Sequence, residues 1–238
     1  MDKKIALVSG ANRGIGLATV AALAEKGVQV LLGARDLEKG KVAAKTLQDK
    51  GLDVEAVQLD TTDEASVTAL VKTLDERFGK IDILVNNAGI ALDYAPDMTT
   101  AEKLMGTFDV NVAGTARMTD HMVALLEKSD HARIVNVSSA LASFGLRHDP
   151  SWIYKDIKMP TYAASKAALN AMIVSYTEEL AEKGIKVHGV CPGLTATEAT
   201  GYQGRPVEEA IQVIIKFALL VDASITGTFE NDEGTIPW

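Results

Sequence analysis

Short apolar runs alternate with longer amphipathic stretches along almost the whole chain, and this alternation constrains the fold more than any other sequence feature. The apolar runs have the length of β-strands, and the stretches between them show helical periodicity. Strands that are joined through helices run parallel, and runs without polar alternation are typical of strands buried on both faces. The predicted strands are Ile5–Val8, Val28–Leu32, Val54–Leu59, Ile81–Val85, Arg133–Val137, Lys186–Val190 and Gly227–Phe229.

This order of elements predicts an α/β fold: a Rossmann-type, doubly wound parallel sheet of about seven strands with helices on both faces. The sequence from Thr100 to Leu126 predicts one largely helical stretch, and Thr61 with Glu64 has the spacing of a capping box ahead of an earlier helix. Linkers and internal repeats are absent from the sequence, so we expect one domain over residues 1–238. In such sheets ligands bind beyond the carboxyl ends of the strands. The irregular stretches after strands four, five and six are 93–99, 143–160 and 195–205.

Charge and side-chain spacing narrow the class of partner. The 238 residues include 24 Lys and Arg against 32 Asp and Glu, a net charge of −8. Nucleic-acid-binding domains present a basic surface, so we expect a small-molecule partner and no nucleic acid. The four histidines lack the spacing of metal ligands, so no metal site is expected.

Two features bear on the compartment. No apolar run reaches the roughly 18 residues that a membrane helix needs, and Met1–Lys4 lead into a strand instead of a signal sequence. The single cysteine, Cys191, cannot form an internal disulfide, which fits a reducing environment. The sequence therefore predicts a soluble cytoplasmic protein that makes no contact with membranes.

A glycine-rich turn follows the first predicted strand and opens a helix. Gly10, Gly14 and Gly16 have the spacing GxxxGxG, which differs from the GxGxxG of the common dinucleotide fingerprint. Glycines at such a turn let the backbone approach a pyrophosphate, and the helix N-terminus supplies free N–H groups and a positive dipole end. We therefore predict that this turn binds a dinucleotide. Its predicted contacts are Gly10, Asn12, Arg13, Gly14, Ile15 and Gly16.

The end of the second predicted strand indicates which dinucleotide binds. NAD-binding folds commonly place a carboxylate there, on the ribose 2′-hydroxyl. Here Arg35 occupies about that position, and Arg13 lies within the glycine-rich turn. Two guanidinium groups suit a 2′-phosphate, because arginine offers planar bidentate donors to phosphate. We therefore favour NADP(H) as the cofactor over the alternative that both arginines are solvent-exposed side chains without a ligand. NAD stays an alternative cofactor if the carboxylate of Asp36 turns inward toward the ribose.

A tyrosine and a lysine four residues apart open a long helical stretch. Tyr162 and Lys166 share a helix face, and a neighbouring ammonium favours the phenolate, which predicts a lowered pKa for Tyr162. Such a phenol could exchange a proton with a bound oxygen near neutral pH. Tyr154 and Lys158 have the same spacing, but Pro160 follows them closely and disfavours a sustained helix. Tyr162 is therefore the preferred proton donor.

Several short motifs, taken in order, resemble those of the short-chain dehydrogenase/reductase family over nearly the whole chain. Within that family the sequence is most similar to the NADPH-dependent carbonyl reductases, on the Gly33–Asp36 run, the additional residues before Tyr162 and the ending from Gly227 to Trp238. The motifs are GANRGIG at 10–16, LD at 59–60, NNAG at 86–89, Asn111, SS at 138–139, YAASK at 162–166 and PG at 192–193.

The resemblance implies hydride transfer from NADP(H) to a ketone, aldehyde or quinone carbonyl. It implies that Tyr162 donates the proton, that Ser139 holds the substrate carbonyl and that Lys166 binds the nicotinamide ribose. Asn111 would anchor a proton-relay water, and Asp60 would contact the adenine. The further cofactor contacts that it implies are Thr61, Asn87, Ala88, Gly89, Pro192, Gly193, Thr195 and Thr197, the last at the carboxamide.

Some alternatives stay open at this point. Adjacent strand residues point to opposite faces, so either Ser138 or Ser139 could face the substrate, and the family pattern favours Ser139. The residues inserted before Tyr162 leave the rim of the substrate site undecided, and the choice between monomer and homo-oligomer is open. Alternative functions are reduction of 3-oxoacyl thioesters, a hydroxysteroid-type dehydrogenase activity and NADP sensing without catalysis. The complete set of four catalytic residue types argues against the last.

Overall fold

A computed structural model describes residues 3–238 and shows seven parallel strands in one sheet over that range. The strands are β1 Ile5–Val8, β2 Gln29–Ala34, β3 Val54–Gln58, β4 Ile83–Asn86, β5 Arg133–Val137, β6 Lys186–Val190 and β7 Thr228–Glu230. Their spatial order is β3-β2-β1-β4-β5-β6-β7, so the winding direction reverses between β1 and β4. The predicted doubly wound α/β sheet is confirmed. Met1 and Asp2, part of the predicted N-terminal segment, lie outside the described residues.

Helices cover both faces of the sheet. They are α1 Gly14–Glu25, α2 Leu37–Gln48, α3 Glu64–Phe78, α4 Thr100–Phe108, α5 Gly114–Leu126, α6 Phe144–His148, α7 Pro160–Glu179, α8 Val207–Ala210 and α9 Gln212–Ala218. Ala6 and Val8 of β1 pack in one core with α1, α2 and α9, and the alternating Ile5 and Leu7 pack in a second core with α3, α5 and α7. Because both faces of β1 are buried, the strand has the unbroken apolar sequence from which it was predicted.

The segment from Thr100 to Leu126 differs from the single helix that was predicted. A turn of π-helix at Asp109–Ala113 separates α4 from α5. Such a turn accommodates one extra residue in the helix and is frequent at functional sites. Asn111 lies at its centre and is fully buried. The extra residue therefore sets the direction in which Asn111 leaves the helix.

The predicted capping box of Thr61 and Glu64 is wrong. Asp63 caps α3 instead, and its carboxylate accepts hydrogen bonds from the N–H groups of Ala65 at 3.1 Å and Ser66 at 3.3 Å. A carboxylate with two oxygens can satisfy two free N–H groups of a first turn, whereas a threonine hydroxyl at the cap satisfies one. Glu64 instead pairs with side chains of α5.

The start of α4 carries the capping box that the sequence analysis missed. Glu102 N–H donates to Thr99 Oγ1 at 3.3 Å, and Thr99 N–H donates to Glu102 Oε2 at 2.7 Å.

Within residues 3–238, no helix combines the length and the apolar composition that crossing a bilayer requires.

Candidate active site

The predicted motifs meet at the carboxyl edge of the sheet, where the winding direction reverses. The glycine-rich turn follows β1, the NNAG motif ends β4, the serine pair follows β5, and Pro192 with Gly193 follows β6. Neighbouring strands in this region are β1, β4, β5 and β6, so their loops leave the sheet side by side. Open α/β sheets bind ligands in this crevice.

The glycine-rich turn has the backbone that its sequence predicts. Gly10 and Gly14 have φ angles of +61° and +56°, in the left-handed region that favours glycine. A Cβ on Gly16 would lie 2.6 Å from Asn87 Nδ2, so only glycine fits there. Arg13 precedes α1 and makes no side-chain capping bond within the described part of the chain. The first N–H groups of α1, including that of the partly buried Ile15, are thus open to an anionic ligand.

The NNAG motif fastens this turn to β4. Asn87 Nδ2 donates to the carbonyl oxygens of Ser9 at 2.9 Å and Gly10 at 3.1 Å. Ser9 Oγ in turn accepts from the N–H groups of Asn87 at 3.1 Å and Ala88 at 3.0 Å. Asn87 and Ala88 therefore hold the shape of the glycine-rich turn. Ser9 shares this role, and sequence analysis missed it because a serine after a strand has no distinctive pattern.

Tyr162 and Lys166 lie on the first two turns of α7, as predicted. Lys166 is 4% exposed, and its ammonium group donates to the carbonyl oxygen of Val137 at 2.7 Å. The same nitrogen lies 5.8 Å from the centre of the Tyr162 ring. The two side chains therefore flank one region above the end of β5, where a substrate and a nicotinamide ribose could both be reached.

The two serines after β5 point in different directions. Ser138 is buried and donates to Asn170 Oδ1 at 2.6 Å inside the protein. Ser139 is partly exposed, its Oγ accepts from Leu141 N–H at 3.2 Å, and it faces the Tyr162 hydroxyl. The structure therefore brings Ser139, and not Ser138, together with Tyr162.

Asn111 joins the site from the π-helical turn. Its Oδ1 accepts from Ile90 N–H at 2.8 Å, and its Nδ2 donates to the Ile90 carbonyl at 2.9 Å and to Ser165 Oγ at 3.0 Å. A Cβ on Gly89 would lie 3.3 Å from Asn111 Oδ1 and 3.5 Å from Lys166 Nζ, so both side chains converge on Gly89. The amide of Asn111 thus holds the loop after β4, a contact that the implied water-anchoring role did not include.

Burial controls the protonation of the central pair. Burial raises the pKa of Tyr162 to about 12, with the nearby Cys191 adding to the rise and Ser139 opposing it. Burial also lowers the pKa of Lys166 to about 8. The predicted lowering of the Tyr162 pKa by Lys166 is therefore wrong for this structure, because burial raises this pKa and the neighbour that opposes the rise is Ser139. Tyr162 is a protonated phenol at neutral pH.

The arginines expected at a 2′-phosphate have different environments. Arg13 forms an ion pair with Glu198, from the segment after β6, and both side chains are about two-thirds exposed, at 67% and 66%. Arg35 is exposed directly after β2. Its charge, together with hydrogen bonds from Thr62, lowers the pKa of Asp60 against the opposing effect of burial. The contact between Arg13 and Glu198 was not predicted.

Asn12 borders a surface groove between α1 and α2, which Asp36 and Lys39 also line. Asp36 caps α2: its Oδ1 accepts from Lys39 N–H at 3.1 Å, and its Oδ2 lies 3.4 Å from Lys39 Nζ. The Asp36 carboxylate is therefore bound at a helix end, whereas the NAD alternative requires it to turn toward a ribose. Lys39 adds a cation to the groove that the sequence analysis did not consider.

Asp60 and Thr61 follow β3. The Asp60 carboxylate accepts from Thr62 N–H at 3.0 Å and from Thr62 Oγ1 at 2.7 Å, which fixes it in a local turn. Thr61 is buried, and a Cβ on Gly114 would lie 3.0 Å from its hydroxyl. Thr61 thus packs the end of β3 against α5, and the turn holds Asp60 within the electrostatic influence of Arg35.

The segment 195–205 lies over the glycine-rich turn. A Cβ on Gly14 would lie 3.4 Å from Thr197 Cγ2. The buried Thr195 donates to the carbonyl of Gly193, which has a φ of +75°, at 3.1 Å. This loop, together with Pro192, brings Thr197 close to the start of α1.

The second tyrosine–lysine pair is not helical. Residues 149–159 form turns and irregular backbone between α6 and α7. Tyr154 packs edge-on against Trp152 with ring centres 5.8 Å apart, whereas Tyr162 is the tyrosine that faces Ser139.

Over residues 3–238, no three His, Cys, Asp or Glu side chains are grouped so that they could hold a metal ion.

Comparison with known proteins identifies relatives over the full length of the chain. A sequence model described as short chain dehydrogenase matches residues 4–207. A short-chain dehydrogenase of Penicillium roqueforti is 35% identical over 244 residues, covering 99% of this chain and 97% of the relative. The (−)-isopiperitenone reductase of Mentha piperita is 33% identical over 304 residues, covering 95% and 96%. The structure of NADPH-bound carbonyl reductase from chicken fatty liver is similar, with a TM-score of 0.86, 25% identity and complete coverage of both chains.

Proposed function

The chain belongs to the short-chain dehydrogenase family, and on this premise we propose that it is an NADPH-dependent carbonyl reductase acting on a ketone, aldehyde or quinone. Family membership makes it an oxidoreductase that uses a nicotinamide cofactor on alcohol or carbonyl groups. The observation that carries the finer proposal is the convergence of Tyr162, Ser139 and Lys166 beside an open glycine-rich turn. We also propose that residues 1–238 form one domain. A cytoplasmic location is proposed as well, because the single cysteine, Cys191, is a free and buried thiol, which fits a reducing compartment.

The residues at the crevice fit a dinucleotide. The glycine-rich turn offers uncapped N–H groups to a pyrophosphate, and its glycines leave room for close approach. The bound nicotinamide would supply the hydride. Lys166 is placed to bind the ribose hydroxyls, and Asp60 the adenine. Pro192, Gly193, Thr195 and Thr197 would cover the nicotinamide end from the loop after β6.

Proton transfer is the part of the reaction that this chain's residues perform. Reduction builds negative charge on the carbonyl oxygen, and two hydroxyl donors aimed at that oxygen stabilise the transition state. Ser139 would hold the oxygen, and Tyr162 would donate its proton. A raised pKa keeps Tyr162 protonated at neutral pH, so it holds the proton that reduction consumes. The Lys166 ammonium lies beside the Tyr162 ring, and a water anchored at Asn111 would carry a replacement proton from solvent to this pair.

The assay that tests the proposal measures the oxidation of NADPH by the purified protein with one carbonyl compound at a time. The compounds are an aromatic ketone, an aldehyde, a quinone, a 3-oxoacyl thioester and a ketosteroid. We expect turnover with at least one of the first three. Preference for the thioester or the steroid would replace the proposed substrate class. Tight NADPH binding without turnover of any compound would instead indicate a sensor.

The first mutational prediction concerns the choice of cofactor. We expect Arg35→Ala to raise the KM for NADPH by about tenfold or more, because a charge-assisted hydrogen bond to phosphate contributes about 1.5–3 kcal/mol. The KM for NADH should change little, since NADH lacks the 2′-phosphate. Steady-state kinetics with both cofactors measures this. Arg77→Ala, which removes an exposed arginine paired with Glu55, is the control. A wild-type preference for NADH would contradict the assignment.

A second prediction follows from the ion pair between Arg13 and Glu198. The Glu198 carboxylate competes with a 2′-phosphate for the same guanidinium, and an exposed pair is weak and sensitive to salt. We expect Glu198→Gln to tighten NADPH binding about two- to fivefold at low ionic strength and to leave NADH binding unchanged. Fluorescence titration measures both affinities, with the exposed Glu208→Gln as control. Weaker binding of both cofactors would contradict this prediction, and would show instead that the ion pair holds the segment 195–205 over the glycine-rich turn.

A further inference from the structure

We propose that Asp93 is a positioning residue for Tyr162, because it caps the helix that carries the tyrosine from a separate loop. This inference rests on the proposed function, in which Tyr162 donates the proton. Sequence analysis placed Asp93 only within an irregular stretch and gave it no role. Asp93 would act through Tyr162 and need not touch the substrate.

The start of α7 has an unusual source of hydrogen-bond acceptors. Met159 occupies the N-cap position, and its side chain makes no capping bond in the described structure. Instead Asp93 Oδ1 accepts from Thr161 N–H at 2.9 Å, and Asp93 Oδ2 accepts from Tyr162 N–H at 3.0 Å. Both carboxylate oxygens are thus used on two successive N–H groups, one of which belongs to Tyr162 itself. A negative charge at this position also complements the helix dipole.

The loop that carries Asp93 is fixed on both sides. Ile90, three residues earlier, is bonded through its N–H and its carbonyl to the side chain of Asn111. The carbonyl of Asp93 accepts from Lys103 Nζ on α4 at 2.9 Å. The segment 90–93 therefore connects Asn111 at one end with Tyr162 at the other. The segment therefore sets the distance between Asn111 and Tyr162, the two residues that carry the proton path in the proposed reaction.

The position of Tyr162 makes this cap important for catalysis. Tyr162 lies in the first turn of α7, and terminal turns are the parts of a helix that fray. Lys166 lies one turn further along and is held independently by the Val137 carbonyl. Loss of the cap should therefore displace the phenol and leave the lysine in place. A misplacement of about 1 Å can cost about 100-fold in rate.

The kinetic test is Asp93→Ala with its conservative counterpart Asp93→Asn. We expect Asp93→Ala to lower kcat for carbonyl reduction by about tenfold to 100-fold, with the Kd for NADPH unchanged. Asp93→Asn keeps one acceptor oxygen and should recover most of kcat. The matched control is Asp63→Ala, which removes the corresponding two-bond cap of α3. This control should lower the melting temperature to a similar extent without lowering kcat. A kcat for Asp93→Ala near that of the control overturns the proposal.

Two further measurements separate positioning from stability. In a Tyr162→Phe background, Asp93→Ala should not reduce the residual rate further, because a residue that acts through Tyr162 has nothing left to position. An additional, multiplicative loss would overturn the proposal. If Asp93→Ala does not fold, Asp93→Asn and Asp93→Ser take its place in the same comparison.

Hydrogen exchange tests the contact without any assay of activity. The amides of Thr161 and Tyr162 should exchange faster in Asp93→Ala, while amides in the middle of α7 are unchanged. Unchanged exchange at both amides would overturn the proposal. If the wild-type protein reduces no carbonyl compound, the proposed function fails, and the exchange measurement still decides whether Asp93 holds Tyr162.

Discussion

Replacement of Tyr162 by phenylalanine is expected to lower kcat for carbonyl reduction by about 1,000-fold, within the range that general acid catalysis contributes. The change removes one hydroxyl and keeps the ring, so the packing beside Lys166 is preserved. Ser139 can still hold the carbonyl oxygen, but the protonated phenol that would neutralise it is gone. The Kd for NADPH should stay close to that of the wild type, because Lys166 and the glycine-rich turn are unchanged.

The control for this experiment is Tyr154→Phe. Tyr154 has the same spacing from a lysine, but it packs against Trp152 in a turn and should have no part in proton transfer. Stopped-flow measurement of hydride transfer, with NADPH binding measured separately by fluorescence, distinguishes loss of chemistry from loss of cofactor. Full activity of Tyr162→Phe with loss of activity in Tyr154→Phe would exchange the two assignments.

Lys166→Met is expected to lower kcat by about 100-fold or more while it stabilises the fold. At neutral pH the buried ammonium costs about 3 kcal/mol, because its pKa is about 8 in the folded state against 10.5 for the free side chain. Methionine is uncharged and fills a similar volume. It leaves the Val137 carbonyl without its donor, which costs about 1–3 kcal/mol. We therefore expect a net gain of about 1 kcal/mol in the free energy of unfolding at pH 7.

This gain should depend on pH in a defined direction. Between about pH 8 and pH 10.5 the unfolded chain binds the Lys166 proton and the folded chain does not, so wild-type stability rises with pH there. Lys166→Met lacks this rise of about 3 kcal/mol, so its advantage of about 1 kcal/mol should be largest below pH 8, should vanish near about pH 9 and should become a deficit of about 2 kcal/mol by pH 10.5. Denaturant unfolding at several pH values measures it, with Lys158→Met, at an exposed position, as the control. An advantage that does not change with pH would contradict the burial of a charged amine.

The sheet could be predicted from the sequence because each strand is buried on both faces and is therefore apolar throughout. Boundaries were less certain: Ile81 belongs to the predicted fourth strand, yet its N–H bonds to Leu125 and β4 begins at Ile83. The π-helical turn around Asn111 could not be predicted, since it lies where this segment packs against α7, from which Ser165 accepts a hydrogen bond from the Asn111 amide. Hydrophobic periodicity does not distinguish one inserted residue in a helix of this length.

The candidate site shows the same division. The residue types of Tyr162, Lys166 and Ser139 were recognisable from local motifs, and the structure brings them together. The pKa of Tyr162 was predicted in the wrong direction, because the sequence gives the neighbouring charge and not the degree of burial. The contacts made by Glu198 and Asp93 join segments that are remote in sequence, so no local pattern could have indicated them.

The hydrogen bonds that shape the site connect widely separated parts of the chain, and this has a consequence for how the protein folds. Asn111 reaches Ser165 across 54 residues, Asp93 reaches Thr161 across 68, and Arg13 reaches Glu198 across 185. Contacts between remote segments close large loops before they yield stabilisation, which makes such topologies slow to form. A half-folded chain can contain the glycine-rich turn and still lack the catalytic crevice. After denaturation, catalytic activity should therefore return later than secondary structure does. The fraction of molecules that regain activity then measures how many have completed their tertiary structure.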